Sequence, residues 1–296
     1  MNKKNLLLGG VLIVLIAISY LYQGPLKKWQ KQVGQKSNFF KSINIDKASK
    51  IEIVRQGKKM TLELKDGKWV DADMKNFPVK EEYSKGLIDA LKKAGDGELA
   101  LVSNNKDKKS EYETGDKGIS VKIESDGQSL EMVIGKLAPD FVSAYVSKKD
   151  ANETYTTSAG LRTYLDSGEW HDTTIFSSDK SKISKIRFQY PGRQFTIEKK
   201  GDKWVKANQE KMDKIAELMS TMTAVSIPEQ TFKGTGLEKN SIIVEATGDG
   251  VKNTIMVGDA QKTSGNYFAK RGDSDRIYLI SKADRDALNK KIEELK

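Results

Sequence analysis

The stretch SKIEIVRQGKKMTLELKDGKWV, Ser49 to Val70, has a second version in SKIRFQYPGRQFTIEKKGDKWV, Ser184 to Val205. The two align without a gap, sharing the opening Ser-Lys-Ile, one Gly, one Thr, one Glu, two further Lys and the closing Trp-Val. A repeat fixes the size of the structural unit before any fold is chosen. Here it makes the globular part of the chain one unit used twice. Apolar residues alternate within each copy: Ile51 and Ile53, then Met60, Leu62 and Leu64 in the first, Ile186 and Phe188, then Phe195 and Ile197 in the second. Arg-Gln-Gly and Lys-Asp-Gly punctuate the first copy, so the pattern predicts an antiparallel meander with one buried face.

Each meander leads to a helix. In VKEEYSKGLIDALKKAG, Val79, Tyr83, Leu87, Ile88 and Leu91 recur at helical spacing, with Gly95 placed as a C-cap. Met212, Ile215, Met219 and Met222 give its counterpart. Strands are then predicted near 98–102, 119–123, 130–134, 142–146 and 153–157, followed by a short helix that Ser158 caps around Leu161 and Leu165. The second copy repeats this order, with a strand at 226–230, a hairpin from Ile242 and Val244 to Ile255 and Val257 whose turn is two residues longer, strands at Tyr267, Phe268 and Tyr278, and a last helix opened by Ser281. The fold class is α+β, an N-terminal transmembrane helix followed by two tandem repeated domains, each an antiparallel sheet packed by a main helix. The expected boundaries are a basic tail at 1–5, a transmembrane signal anchor at 6–22, a juxtamembrane linker at 23–44, a first repeat at 45–167, an interdomain linker at 168–183 and a second repeat at 184–296.

Charge is unevenly placed. The net charge is +10, and seven lysines with no acid fall within residues 1–45, leaving +3 for the rest. A nucleic-acid binder concentrates base on its folded domain and interleaves aromatics with it. This chain concentrates base beside an apolar run, so nucleic acid is not an expected partner. That run, Leu6 to Tyr22, holds eleven Leu, Ile or Val residues, which favour insertion by about 3 to 6 kcal/mol. As a helix it spans roughly 25 Å, with Tyr20 and Tyr22 at the interface and Pro25 past its end. The lipid bilayer is therefore the first expected partner. Ala17-Ile18-Ser19 is a small-x-small site, which leaves cleavage as a signal peptide open.

Orientation is balanced between two rules. Lys27, Lys28, Lys31 and Lys36 follow the run while only Lys3 and Lys4 precede it, which read literally keeps the domains in the cytoplasm. A short basic tail before an apolar run is also how a secretory signal begins, and long domains translocate largely regardless of charge. The expected placement is a single pass in a bacterial inner membrane with the repeats periplasmic.

Catalytic constellations are sparse. The chain has no cysteine, which excludes disulfides, thiolate metal sites, Cys nucleophiles and a lipobox. His171 is the single histidine, so a Ser-His-Asp triad or a His metal site would rest on one residue. Ser177-Ser178-Asp179-Lys180 fits Ser-x-x-Lys, yet it lies in a polar linker without a partner motif. Neither phosphate-cradling glycine motif occurs. No catalytic residue, metal or cofactor is expected, and the chain reads as a non-enzyme. Arg271-Gly272-Asp273 resembles an adhesion tripeptide, but between two strands it is a polar hairpin turn. Trp69 and Trp204, repeat-equivalent, are expected to close the core of each sheet rather than form an aromatic platform. Trp170 and His171, in the interdomain stretch, are the candidate ligand or partner contacts. Specific recognition is expected where the copies differ: there, at the Val251 hairpin, and in the loop from Asn104 to Glu113.

Lys-Ile strands leading to Lys-Trp-Val, a helix, the Gly236-Leu237 turn before a strand, and Ile134-Gly135 and Val257-Gly258 after one resemble the family described as domain of unknown function 4340. His171-Asp172-Thr173-Thr174-Ile175-Phe176 is similar to the motif between that family's halves, where Arg-Asp is more usual; the first copy has Gly115-Asp116 in place of the Gly-Leu turn. The resemblance spans about residues 45–290. It implies an N-terminal membrane helix, envelope localisation and, in many members, company with an ABC transporter of the gliding-motility auxiliary type, and it supplies no catalytic residues. The expected function is a non-enzymatic, membrane-anchored envelope protein acting as accessory or scaffold subunit of a membrane complex such as an ABC transporter. The alternative is a periplasmic ligand-binding module using the cleft between the repeats.

Overall fold

The computed structural model describes residues 38–239 and 242–296, together with the isolated Ser19. The tail at 1–5, the rest of the expected anchor at 6–22 and the linker up to residue 37 lie outside the described residues. No helix among the described residues is long and apolar enough to cross a membrane. The chain forms two compact units, and the fold is α+β with an antiparallel sheet in each. The division falls between Trp170 and His171, and the segment Asp73–Pro78 belongs to the second unit. Ile175 and Phe176, in the stretch expected as a linker, are buried in the second unit's core.

In chain order the first half gives β1 (Ala48–Arg55), β2 (Lys58–Lys65), β3 (Lys68–Asp71), β4 (Phe77–Pro78, in the segment of the second unit), α1 (Glu81–Asp96), β5 (Ala100–Ser103), α2 (Lys109–Tyr112), β6 (Ile119–Ser125), β7 (Gln128–Leu137), β8 (Ala144–Lys148), β9 (Thr154–Thr157) and α3 (Leu161–Leu165). The first unit's antiparallel run is β3-β2-β1-β6-β7-β8-β9-β5. Ile51, Ile53, Val121 and Ile123 point to the core, while Lys50, Glu52, Lys122 and Glu124 alternate with them. Two-residue turns at Gln56-Gly57, Asp66-Gly67 and Asp126-Gly127 have both residues at positive φ, the conformation that matches the twist of paired strands.

Helix α1 lays Leu87, Ala90, Leu91 and Ala94 on the sheet, with Tyr83 and Ile88 packed beside them. A Cβ on Gly86 would stand 2.1 Å from the Tyr164 ring, so glycine there lets α3 seat against α1. The helix runs past the expected stop at Gly95 to cap at Gly97. The Asn38 side-chain amide accounts for the extension by donating to the carbonyls of Ala94, Gly95 and Gly97 at 2.6, 3.0 and 2.9 Å, supplying partners that a helix C-terminus otherwise lacks. Ser158 does not cap α3, which starts from Gly160 in the left-handed region.

The second unit gives β10 (Ile183–Tyr190), β11 (Arg193–Lys200), β12 (Lys203–Trp204), α4 (Gln209–Ser220), β13 (Ile242–Gly248), β14 (Val251–Ala260), β15 (Tyr267–Arg271), β16 (Ile277–Ile280) and α5 (Lys282–Leu288). Its order, β12-β11-β10-β13-β14-β15-β16, matches β3-β2-β1-β6-β7-β8-β9 of the first unit, which adds β5 at the edge. Irregularities recur too: the register slips between Ala48 and Lys50 and between Ile183 and Lys185, and again between Ile134 and Leu137 and between Val257 and Ala260. At the second slip a Cβ on Gly135 would stand 2.1 Å from the Tyr112 carbonyl oxygen, and one on Gly258 2.2 Å from that of Thr235. The Ile-Gly and Val-Gly pairs are thus where a loop crosses directly over a bulge.

The β13–β14 turn is no longer than its counterpart, since Gly248 pairs with Val251 as Ser125 pairs with Gln128; the strands themselves run further than the apolar pairs that located them. Residues 226–230 form no strand and contribute a single bridge between Ser226 and Leu279. Pro228 has no N–H to donate. The Gln230 side chain takes over instead, donating to the Ile277 carbonyl at 3.0 Å and accepting from the Ile277 N–H at 2.8 Å.

Candidate functional site

The second unit contains a cleft of about 480 Å³ lined by Lys75, Gln230, Arg271, Asp273, Ser274, Asp275 and Arg276. Its floor is fixed. The Arg271 fork donates from Nε to Asp273 Oδ1 at 2.8 Å and from Nη2 to Asp273 Oδ2 at 2.6 Å, while Nη1 donates to the Ile175 carbonyl at 3.1 Å. The Asp273 hydrogen bond raises the guanidinium pKa, and the Arg271 hydrogen bond lowers that of the carboxyl. Lys270 pairs with Asp275 at 3.0 Å and lies over the Phe232 ring. Both aspartates are therefore ion-paired, with side chains that stay 65% and 86% exposed. Lys75 and Arg276 are exposed, and among the described residues neither has an ion-pair partner.

Lys75 reaches the cleft because of the backbone around it. Lys75 and Asn76 both have positive φ, 54° and 60°, conformations that cost energy outside glycine and concentrate at sites of function. The next residue, Phe77, is 1 % exposed and packs edge-on to His171 and Tyr278, with ring centroids 5.5 and 5.6 Å away. The Arg276 guanidinium lies 5.9 Å from the Phe77 ring centroid.

A second feature stands on the first unit. The loop between β7 and β8 carries Phe141 and Val142, 83 % and 62 % exposed, next to the half-exposed Leu137. It is rigid by construction. Asp140 Oδ1 accepts from the N–H of Val142 at 3.0 Å and of Ser143 at 2.8 Å, Oδ2 accepts from the Ser143 hydroxyl at 2.7 Å, and the Phe141 N–H donates to Ala138 at 2.9 Å. These bonds, the Ser143 hydroxyl first, lower the Asp140 pKa. Phe141 itself sits at φ 56°. The equivalent loop of the second unit closes with the same backbone bond, Gln261 N–H to the Asn266 carbonyl at 2.7 Å as Ala138 N–H to Ser143 at 2.8 Å. It carries Lys262, Thr263, Ser264 and Gly265 instead.

The residues singled out in the sequence occupy different settings. Trp170 is buried in the first unit's core against Tyr83, at 5.7 Å between centroids. His171 is half-buried in the second unit beside Phe77. Trp204 is 2 % exposed, and its Nε1 donates to Asp213 at 2.9 Å, whereas Trp69 is half-buried and packs on the edge of its core. Ser178, of the Ser-x-x-Lys match, accepts from Asn253 at 2.8 Å. Arg271-Gly272-Asp273 is the hairpin turn expected, closed by its own ion pair. Lys75, Gln230, Ser274, Asp275 and Arg276 carried no signal of their own, and Val142, read as strand, belongs to the exposed loop.

Among the described residues no group of His, Cys, Asp and Glu is arranged to hold a metal ion. Neither curated proteins nor solved structures give a match to the chain. The model of one family does, over residues 69–231 and again over 205–296. The two matches begin one residue apart in the repeat, at Trp69 and at the residue after Trp204, and overlap over residues 205–231. The Gly258 approach to Thr235 and the Gly135 approach to Tyr112 give the shared motifs their structural reason. Spanning well over half its length, these matches place the chain in the family described as domain of unknown function (DUF4340).

Proposed function

We propose that this chain is a non-enzymatic, membrane-anchored accessory subunit of the bacterial envelope, held in the inner membrane by residues 6–22 with its two units in the periplasm. It docks onto a larger membrane protein complex, an ABC transporter being the class of partner. Support for the anchor is the apolar run and the lysines that flank it. Support for docking is the loop of the first unit. Large apolar side chains held out on a hydrogen-bonded frame are characteristic of interaction sites, and the matching loop of the second unit, built on the same closing bond, is polar.

The experiment is purification of the full chain from its own membranes in mild detergent, beside Phe141→Asp. Since Phe141 is 83 % exposed, the variant should keep the parent's melting temperature. The expected result is a defined set of integral membrane proteins retained by the parent and lost with Phe141→Asp. Identical recoveries, or no membrane protein in either, would refute docking through this loop. Protease added to spheroplasts should digest both units, and protection would overturn the periplasmic placement.

A further inference from the structure

We infer that the cleft of the second unit binds a small anionic group, a phosphate or a carboxylate, between Lys75 and Arg276. This goes beyond the docking reading and does not rest on it.

The cleft carries an excess of positive charge. A cleft of about 480 Å³ is in the range that holds a small metabolite or a lipid headgroup. Of its charged lining, Asp273 is spent on Arg271 and Asp275 on Lys270. Lys75 and Arg276 have no ion-pair partner among the described residues, which leaves the lining with three cations, Lys75, Arg271 and Arg276, against the two carboxylates of Asp273 and Asp275. Two like charges on one small concavity raise each other's energy, and an anion between them removes that cost.

The uncharged polar groups of the lining leave a donor free. Ser274 Oγ accepts from the Arg276 N–H at 3.2 Å, which leaves its hydroxyl proton to point at a ligand. Gln230 has both ends of its amide engaged on Ile277 and Pro228, so it forms wall and offers no competing acceptor. The positive-φ pair Lys75-Asn76 leads directly into the buried Phe77, which fixes the backbone from which Lys75 lines the cleft. The site exists in one copy of the repeat. Its lysine comes from Asp73–Pro78, a segment of the first half that the second unit incorporates.

The test titrates the full chain in uncharged detergent with inorganic phosphate, with citrate and with dihexanoyl phosphatidylglycerol, followed by calorimetry. Saturable binding to at least one probe is expected, weakening as salt is raised. Arg276→Gln and Lys75→Gln should each weaken it about tenfold, and the exposed Lys106→Gln of the first unit should not. Binding of phosphate or citrate identifies a soluble anion, and binding of phosphatidylglycerol alone identifies a lipid headgroup. No saturable binding of any probe, or binding that both cleft variants leave unchanged, would overturn the inference.

Discussion

The last strand residue before the first tight turn is Arg55 in one copy and Tyr190 in the other, and the two different side chains hold the same thing. Arg55 Nη1 donates to the carbonyls of Leu165 and Asp166 at 3.3 and 2.9 Å, at the end of α3. The Tyr190 hydroxyl donates to the Leu288 carbonyl at 2.7 Å and accepts from the Lys290 N–H at 3.0 Å, at the end of α5. Leu165 and Leu288 are themselves repeat-equivalent and buried. Each clamp satisfies carbonyls that a helix end leaves open. Tyr190→Phe would strand a donor and an acceptor, and a loss of about 1 to 3 kcal/mol is expected by denaturant unfolding at unchanged slope. An unchanged midpoint would show that water replaces the hydroxyl. Burial, the largest cause in both, raises the pKa of Tyr190 and Tyr278 above the ordinary value of about 10. The unfolded chain then gives up these protons first. Their contribution to stability is complete below about pH 10 and is lost as pH rises through the folded values, and Tyr190→Phe should remove part of that alkaline loss.

At the scale of elements, the two sheets differ at one edge. In the first unit β5 pairs with β9, while in the second β16 meets only Ser226 by one bridge and Gln230 by its side chain. All four residues of β16 are buried, and an open edge of such a strand invites pairing with another chain. Gln230→Ala should cost about 2 to 4 kcal/mol through the two lost bonds to Ile277. The same variant should self-associate at concentrations where the parent does not, as read by light scattering during partial denaturation. A monomeric Gln230→Ala would mean that the edge is closed by packing alone. The sequence carried most of the strands, because alternation and Gly-containing turns are local signals. It misplaced residues 226–230 because a side-chain amide standing in for a strand leaves no periodic trace. Both Ser158 and Ser281 read as caps, and only Ser281 is one: Asp284 completes a capping box three residues on, where the first copy has Leu161.

At the scale of the molecule, sequence order and unit membership part company at Asp73–Pro78. The repeat assigns these residues to the first copy, yet Phe77 is a member of the second unit's core. No local pattern carries that assignment, since it depends on which rings surround one phenylalanine. The cleft was unreadable for the same reason, its lining coming from residue 75, residue 230 and residues 271–276. A consequence follows for how the chain unfolds. Phe77→Ala leaves a cavity beside Tyr278 and His171, and core truncations of this kind cost about 3 to 5 kcal/mol. The loss should fall on the unit that holds the ring rather than on the copy that encodes it. In native-state hydrogen exchange, amides of β10, β13 and β14 should exchange faster by about a hundredfold or more. Those of β1, β6 and β7 should keep the parent's protection. Equal acceleration in both sets would mean that the chain opens as one cooperative body, and acceleration confined to β1, β6 and β7 would place Phe77 with the first unit.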